Sequence, residues 1–259
     1  MSTAVLTDST TMLRRTLLHI KRYPSLTLIL VGMPLIFLLL FVYVFGETLG
    51  TGLPGGGGRA AYLDFVVPGI LVMAVASVAT GTAVSVALDQ QEGIVDRFRT
   101  MPVARSALLT GHVLGAVVQT AAVVTVVLGV SLALGFRTTT GPWDLLGAAG
   151  ILLAITVAAT WICVGLGLVS DSVETASNAP MPLVLLPFLG SGFVPTESMP
   201  TALRWFADYQ PFTPTMDAVR GLMLGGVRTE DVLLSLAWSV ALTIVAAAWS
   251  VRAYSRPRG

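Results

Sequence analysis

Long apolar runs separated by short polar connections dominate the chain. Six runs of about 20 residues lack Asp, Glu, Lys and Arg, which is the length a helix needs to cross the hydrocarbon core of a bilayer. Such continuous runs differ from the short alternating segments of a membrane β-barrel. The pattern therefore predicts an all-α polytopic membrane protein with six transmembrane helices, at Ser25–Phe45, Phe65–Leu88, Ala107–Leu134, Leu145–Val169, Ala176–Val194 and Val232–Val251.

The fifth run is the least regular of the six. Pro180, Pro182 and Pro187 interrupt it, and it follows the fourth run after a very short connection that contains Asp171 and Glu174. Proline removes a backbone donor and clashes with the preceding turn, so we expect a kinked helix here.

Composition supports a membrane location. Hydrophobic residues make up 54% of the chain and charged residues 11%, and the mean hydropathy is +0.83, outside the range of soluble domains. The formal net charge of +1 excludes a strongly basic nucleic-acid binder. We expect one transmembrane domain over residues 1–259, with a polar N-terminus (1–24), a six-helix membrane region (25–251) and a short tail (252–259). The polar first residues lack a signal-peptide core, so the first run is expected to be retained as a span.

The positions of the cationic residues predict the orientation. Ten of the 15 Lys and Arg residues fall on the side that holds both termini, and cytoplasmic loops carry such an excess. We expect a multi-pass protein of the inner (plasma) membrane with both termini in the cytoplasm.

Two cytoplasmic segments are amphipathic. Residues 12–23 place Leu13, Leu17 and Ile20 at helical spacing beside a cationic face formed by Arg14, Arg15, Lys21 and Arg22. This predicts an interfacial helix, either a simple topology anchor or a docking element. The connection 89–105 sets Ile94, Val95, Phe98 and Met101 among charges of both signs. It predicts either a short helix that enters a groove on another protein or a solvated charged loop.

The outer segment from Pro195 to Asp231 is too apolar for a free loop and too broken for a span. Pro200 can begin one short helix. Thr213 as N-cap and Pro214 as first residue can begin a second, with Gly225-Gly226 as its stop and an apolar face formed by Met216, Val219, Leu222 and Met223. We expect re-entrant helices at the outer interface. They fit either a cap over the bundle or a gate over an exit.

Several activities lack the residues they need. No phosphate-binding loop of the Walker type occurs, since Gly55 to Gly58 precede no Lys-Ser or Lys-Thr pair, so we expect no enzyme activity, no cofactor and no metal in this chain. The apolar runs hold no ionisable relay for an ion-coupled pump, and His112 is expected to be structural. Ser191 lies at the opposite membrane side from His19 and His112, which disfavours a serine protease. Cys163 is expected to be a buried apolar residue.

Two blocks of residues resemble a known family. Glu92-Gly93, Arg97, Pro102 and Arg105 resemble the E-x-G-x-x-x-R…P-x-x-R pattern of ABC type-2 export permeases. Residues 193–200, 210–214 and 217–222 resemble the block between helices five and six of those permeases. The resemblance covers nearly the whole chain and is strongest for daunorubicin-resistance-type efflux permeases.

This resemblance implies a permease subunit that moves a hydrophobic or amphiphilic molecule, drug-like or lipid, out of the cytoplasm or inner leaflet. Its partners would be two copies of a separate ABC ATPase, and that ATPase would bind ATP and magnesium. The permease would also pair with a second copy of this chain or with a paralogous permease. Membrane lipid is a further implied partner, and nucleic acid is not. The resemblance assigns ATPase coupling to Glu92, Gly93, Arg97, Phe98, Arg99, Pro102 and Arg105, and a connecting helix to Arg14, Arg15, Leu17, Lys21 and Arg22.

By the same resemblance, spans two and five line the substrate path at the dimer seam. The implied lining residues are Met73, Ser77, Thr80, Met181, Leu185 and Phe188. Small residues also permit close helix packing, so span two fits a packing face equally well. A polysaccharide or glycolipid exporter of the same fold and a membrane assembly or sensory protein without transport remain alternatives.

Overall fold

The chain folds as a bundle of helices. The computed structural model describes residues 24–53, 57–93 and 105–255, with side chains from Ile29 and, after the second gap, from Leu108. These residues contain no strand. The predicted interfacial helix at residues 12–23 and residues 94–104 of the predicted coupling segment lie outside the described residues.

Ten α-helices follow one another in the described part. They are α1 (Pro24–Leu39), α2 (Gly46–Thr51), α3 (Gly58–Gln91), α4 (Arg105–Ala133), α5 (Pro142–Val169), α6 (Val173–Asn178), α7 (Met181–Leu185), α8 (Thr201–Tyr209), α9 (Phe212–Leu224) and α10 (Thr229–Ser255). A π-helical turn, Leu40–Phe45, joins α1 to α2, and 3-10 turns cover Leu186–Leu189 and Thr196–Ser198. Following the predicted orientation, we call the end of the bundle with the 134–141 connection the outer end and the opposite end the inner end.

Five helices are long and apolar enough to cross a membrane: α1 with α2, then α3, α4, α5 and α10. They coincide with five of the six predicted spans, which confirms a polytopic α-helical membrane protein. The helices α3 and α10 extend well past the apolar runs, because polar residues at a membrane surface continue a helix as readily as apolar ones. Through this extension α3 includes Asp64 and Asp89.

We expected the fifth predicted span to be one kinked helix. The structure instead shows three short helical pieces. α6 ends at Asn178, α7 has five residues, and a 3-10 turn follows to Leu189. Three prolines within eight residues remove three backbone donors, and Pro180 and Pro187 each stand where one piece gives way to the next. The six-span count is therefore not confirmed.

The two predicted outer helices are present as α8 and α9. Pro200 precedes α8 as predicted, and Gly225 ends α9 with a positive φ of 93°. α9 begins at Phe212, two residues before the predicted start. We expected the apolar stripe of α9 to face the membrane interface, and this expectation was wrong. Met216 and Val219 are fully buried in the core shared with α3, α5 and α10. By contrast, α8 leaves Trp205 and Tyr209 about two-thirds exposed.

Helix α3 forms the centre of the bundle. It packs against α1, α4, α5 and α9, and most of its side chains from Tyr62 to Ala87 are buried. A helix that is apolar or small all round is suited to this position. Glycines permit its closest contacts: a Cβ on Gly167 of α5 would lie 2.6 Å from the carbonyl oxygen of Ala83.

Candidate functional site

Of the predicted path residues of α3, Met73 lies near the middle of the helix, and Ser77 and Thr80 lie in its inner half. Met73 is 1% exposed, and it belongs to the main core cluster. The half-buried hydroxyls of Ser77 and Thr80 donate hydrogen bonds to the carbonyls of Met73 and Ala76, one turn earlier in the same helix. These hydroxyls therefore satisfy their own helix, so this part of α3 combines packing with a weakly polar surface.

The predicted path residues of the broken fifth segment are divided between two environments. Met181 and Leu185 of α7 are 58% and 50% exposed, on the outside of the bundle. Phe188 is half-buried and stacks on Phe193, with ring centroids 4.5 Å apart, beside Phe37 of α1. Phe188 packs against the core cluster that contains Met73, whereas Met181 and Leu185 point away from it.

A cluster around Arg220 at the outer end joins three parts of the fold. The guanidinium of Arg220 donates to the carbonyl of Phe65 through Nε and Nη2, to the carbonyl of Ser191 through Nη2 at 2.7 Å, and to Asp217 Oδ1 through Nη1 at 2.5 Å. It also lies 4.2 Å from the centroid of the Phe65 ring. Pro68 lacks the N–H that would bond the carbonyl of Asp64, and the next carbonyl of α3, that of Phe65, accepts from this arginine of α9.

Burial governs the electrostatics of this cluster. Desolvation raises the pKa of Asp217 above its usual value, and the charge of Arg220 and the hydroxyl of Ser191 hold it down. Desolvation likewise lowers the pKa of Arg220, which Asp217 opposes. Removal of either side chain would therefore leave the other as a buried charge without a counter-ion.

Ser191 takes part in this cluster. Its hydroxyl donates to Asp217 at 2.7 Å. The adjacent Gly192 touches α3 directly: a Cβ on Gly69 would lie 2.6 Å from the carbonyl oxygen of Gly192. The hydroxyl of Tyr62 donates to the carbonyl of Phe193. The turn at 190–193 is thus fixed between α3 and α9.

A polar cavity of about 560 Å³ opens beside this cluster. Arg220 and Asp217 form one part of its wall, and a second pair, Arg228 and Asp231, forms another with a contact of 2.8 Å. Asp231 raises the pKa of Arg228 through its hydrogen bond and its charge. The outer end therefore has a charged, water-accessible vestibule above the apolar core.

At the inner end, a polar side-chain contact joins α3 to α4. Asp89 Oδ2 lies 3.2 Å from His112 Nε2, and both side chains are 12% exposed. Gln90 next to it donates to the carbonyl of Leu168 in α5. This agrees with the structural role predicted for His112. Asp89 could not be predicted as the partner of His112, because it lies just beyond the apolar run.

Three of the predicted coupling residues border residues 94–104, which lie outside the described part, and the other four fall within that range. Glu92 and Gly93 follow the end of α3, where Gly93 has a φ of 69°, and Arg105 begins α4. The other predicted residues, Arg97, Phe98, Arg99 and Pro102, lie outside the described residues. So do the predicted connecting-helix residues Arg14, Arg15, Leu17, Lys21 and Arg22. Within the described part, no group of His, Cys, Asp and Glu is arranged to hold a metal ion.

Comparisons with known proteins find similar permeases. The ABC-2 type transporter family matches residues 7–224. The daunorubicin resistance ABC transporter permease protein DrrB1 of Streptomyces coeruleorubidus is 34% identical over 246 residues, covering 94% of this chain and 84% of that protein. The probable doxorubicin resistance ABC transporter permease protein DrrC of Mycobacterium tuberculosis is 26% identical over 184 residues, covering 70% of this chain and 66% of that protein. ABC transporter G family member 20 of Dictyostelium discoideum is 28% identical, covering 74% of this chain and 27% of its own length.

Proposed function

The chain belongs to the ABC-2 type transporter family, and we infer that it works as the permease subunit of an exporter for hydrophobic or amphiphilic molecules. The observation that carries this inference is the 34% identity to a daunorubicin resistance permease across 94% of the chain. The relatives in Streptomyces and Mycobacterium are both named for resistance to an anthracycline. Daunorubicin is therefore the first compound to test, within a substrate class of drug-like molecules and lipids.

A separate subunit would supply the energy. The sequence contains no phosphate-binding loop, so two copies of an ABC ATPase with ATP and magnesium are proposed on the cytoplasmic face. The permease would pair with a second copy or a paralogue in the inner membrane, with both termini in the cytoplasm. In this topology the broken segment of α6 and α7 counts as the sixth crossing.

The proposed mechanism begins at the segment between α3 and α4. Glu92 to Arg105 would contact the ATPase, with Phe98 as the buried anchor and Arg97 and Arg99 as its charged surround. A displacement there would reach both flanking helices together, because the side chains of Asp89 on α3 and His112 on α4 are in contact, with Oδ2 and Nε2 3.2 Å apart. The proposed connecting helix at residues 12–23 would rest on the inner leaflet beside it.

Helix α3 would carry the displacement across the membrane. Its 34 residues correspond to about 50 Å of continuous helix. At the far end it contacts Gly192 through Gly69 and Arg220 through Phe65. Movement of α3 would therefore act on the outer cluster and on the vestibule, which we propose as the exit beneath α8 and α9.

The proposed path runs along a seam between two permeases. Ser77 and Thr80 would line its inner half, with Met73 packed behind them in the core. The exposed side chains of Met181 and Leu185 would face the partner permease or the substrate, and Phe188 would connect them to the core. An apolar path with a few hydroxyls is suited to a molecule that partitions into the bilayer.

Association with the ATPase tests this function. The chain would be purified with a candidate ABC ATPase, and substrate-stimulated ATP hydrolysis would be measured in reconstituted membranes. Truncating a central aromatic anchor commonly costs about 2 kcal/mol or more, whereas a rim charge costs less. Phe98→Ala should therefore weaken association about thirtyfold or more, and the matched variant Arg99→Ala only mildly. Full association and full coupled activity of Phe98→Ala would exclude this segment, and hydrolysis by the isolated chain would contradict the separate ATPase.

A further inference from the structure

An apolar groove between α4 and α5 shares no lining residue with the proposed path. We propose that it binds an acyl chain of an anionic phospholipid, whose headgroup is held by Arg137 at the outer end of the groove. The inference concerns a site of this chain alone and does not depend on export.

The groove has a buried floor and an exposed rim. Its volume is about 380 Å³, within the range of ligand sites. Leu71 of α3 and Leu152 of α5 form part of the floor and are 1% and 7% exposed. Leu132 of α4 and Leu153 of α5 stand on the rim and are 39% and 49% exposed. Because both helices are long enough to span the membrane, this rim opens sideways toward lipid.

The groove has few polar atoms, and two of its hydroxyls are bonded within their own helices. The hydroxyl of Thr125 donates to the carbonyl of Ala121, and that of Thr156 donates to the carbonyl of Leu152. The hydroxyl oxygen of Thr120 is buried within the wall. The surface left to a ligand is therefore almost entirely hydrocarbon, which suits an acyl chain and disfavours a water cluster, since a buried water needs two or more polar partners.

Apolar contact alone does not select a ligand here. Lipid tails are as apolar as leucine, so a chain gains little by leaving the bilayer for the groove. The preference must come from a polar group at the end of the groove, and Arg137 is placed to provide it. Its Nη1 donates to the carbonyl of Leu132, a groove residue, at 2.6 Å and to the carbonyl of Phe136 at 2.8 Å.

The loop that carries Arg137 is fixed. Phe136 is fully buried, and the hydroxyl of Thr140 donates to the carbonyl of Leu222 in α9 at 2.6 Å. Arg137 itself is exposed, and its Nε and Nη2 have no hydrogen-bond partner among the described residues. A guanidinium held in one orientation with two free donor nitrogens is suited to a phosphate oxygen pair.

The depth of the groove agrees with a phospholipid. Most groove residues of α4 and α5 belong to the outer halves of these helices, and Trp143 at the start of α5 is 82% exposed. Tryptophan at such a position is typical of the level of the headgroups. The chain would thus lie in the groove while the phosphate remains at the surface beside Arg137.

Native mass spectrometry of the detergent-purified chain tests the site. The probes are phosphatidylglycerol and phosphatidylcholine with identical acyl chains. A cationic residue near an anionic headgroup contributes about 1 kcal/mol, so phosphatidylglycerol should bind about fivefold more tightly. Arg137→Gln should remove this preference. Arg204→Gln is the matched control, because Arg204 is an exposed arginine of the outer end paired with Asp208 on α8.

A second pair of variants tests the groove itself. Ala121 lines the groove and is exposed, whereas its neighbour Ala122 is equally exposed but does not line it. Ala121→Phe should lower occupancy by both lipids several-fold, and Ala122→Phe should not. Ala149→Phe fills the groove from α5 and serves if Ala121→Phe does not fold. A phosphatidylglycerol with a photoactivatable chain should label peptides of α4 and α5.

The outcomes separate this proposal from a general surface charge effect. If Arg137→Gln and Arg204→Gln lower phosphatidylglycerol binding equally, or if filling the groove leaves binding unchanged, the site does not exist. Labelling spread evenly over all exposed helices would also overturn it. None of these measurements depends on an ATPase, so failure here leaves the exporter function untouched, and the reverse also holds.

Discussion

Replacing Arg220 with alanine should destabilise the folded protein more than any other single arginine replacement in the described part. The change removes four hydrogen bonds and the contact with the Phe65 ring. It also leaves Asp217 without its cation at a largely buried position. Removal of one partner from a buried ion pair costs about 3 to 5 kcal/mol, chiefly because the remaining charge is uncompensated.

Related variants separate the causes of that loss. Arg220→Lys keeps the charge but cannot reach three acceptors with a planar fork, so an intermediate loss is expected. The double variant Asp217→Asn with Arg220→Met removes both charges and should lose less than the sum of the single changes. Arg204→Ala is the control: Arg204 and Asp208 form an exposed pair, which contributes at most about 1 kcal/mol.

Cys163 provides the assay. It is the only cysteine of the chain and is fully buried, so a thiol-reactive fluorophore should label it only after unfolding. Thermal unfolding in detergent, followed by this label, gives the order of stabilities. If Arg220→Ala unfolds at the same temperature as Arg204→Ala, the outer cluster does not stabilise the fold and the proposed transmission through α3 loses its end point.

Three further predictions concern packing and topology. Gly167→Ala should destabilise the protein by about 1 to 3 kcal/mol in the same assay, because the new Cβ meets the carbonyl oxygen of Ala83. Gly150→Ala in the same helix has open space and should be neutral or stabilising. Equal effects of the two changes would refute this contact. Met216→Asp should abolish folding or export, because it buries a charge in the core. Thr201→Asp changes an exposed site and should be tolerated. Equal tolerance of the two changes would contradict the packing of α9. Tags at both termini should be cytoplasmic and a tag at Gly56 external, as impermeant labelling of intact cells can show, and an external terminus would reverse the orientation.

The apolar pattern predicted the long helices well because a span is determined by local composition. Five runs became five long helices, and their ends differ from prediction mainly where polar residues such as Asp64 and Asp89 continue α3. The fifth run shows the limit of this reasoning. Its average hydropathy resembles a span, but Pro180 and Pro187 divide it, and only the structure gives the resulting pieces.

Residue contacts across the bundle could not be predicted from the sequence. The motif that contains Asp217 and Arg220 was recognised by resemblance, but its partners Ser191 and Phe65 lie 26 and 155 residues away along the chain. The spacing of an aspartate and an arginine three residues apart on an apolar helix could have indicated a buried pair. Nothing local could have indicated the acceptors, since backbone carbonyls carry no sequence signal. The burial of Met216 was missed for the same reason: an apolar stripe fits lipid and protein equally.

Transport in proteoliposomes tests the central claim most directly. The permease and its ATP-binding partner would be reconstituted with their ATPase domains facing outward, and daunorubicin uptake would be followed by its fluorescence. We predict accumulation that requires the permease, ATP and magnesium, and that stops with a non-hydrolysable ATP analogue or with Phe98→Ala. Accumulation that proceeds equally without ATP hydrolysis, or without this chain, would contradict the assignment of the protein as the permease of an ATP-driven exporter.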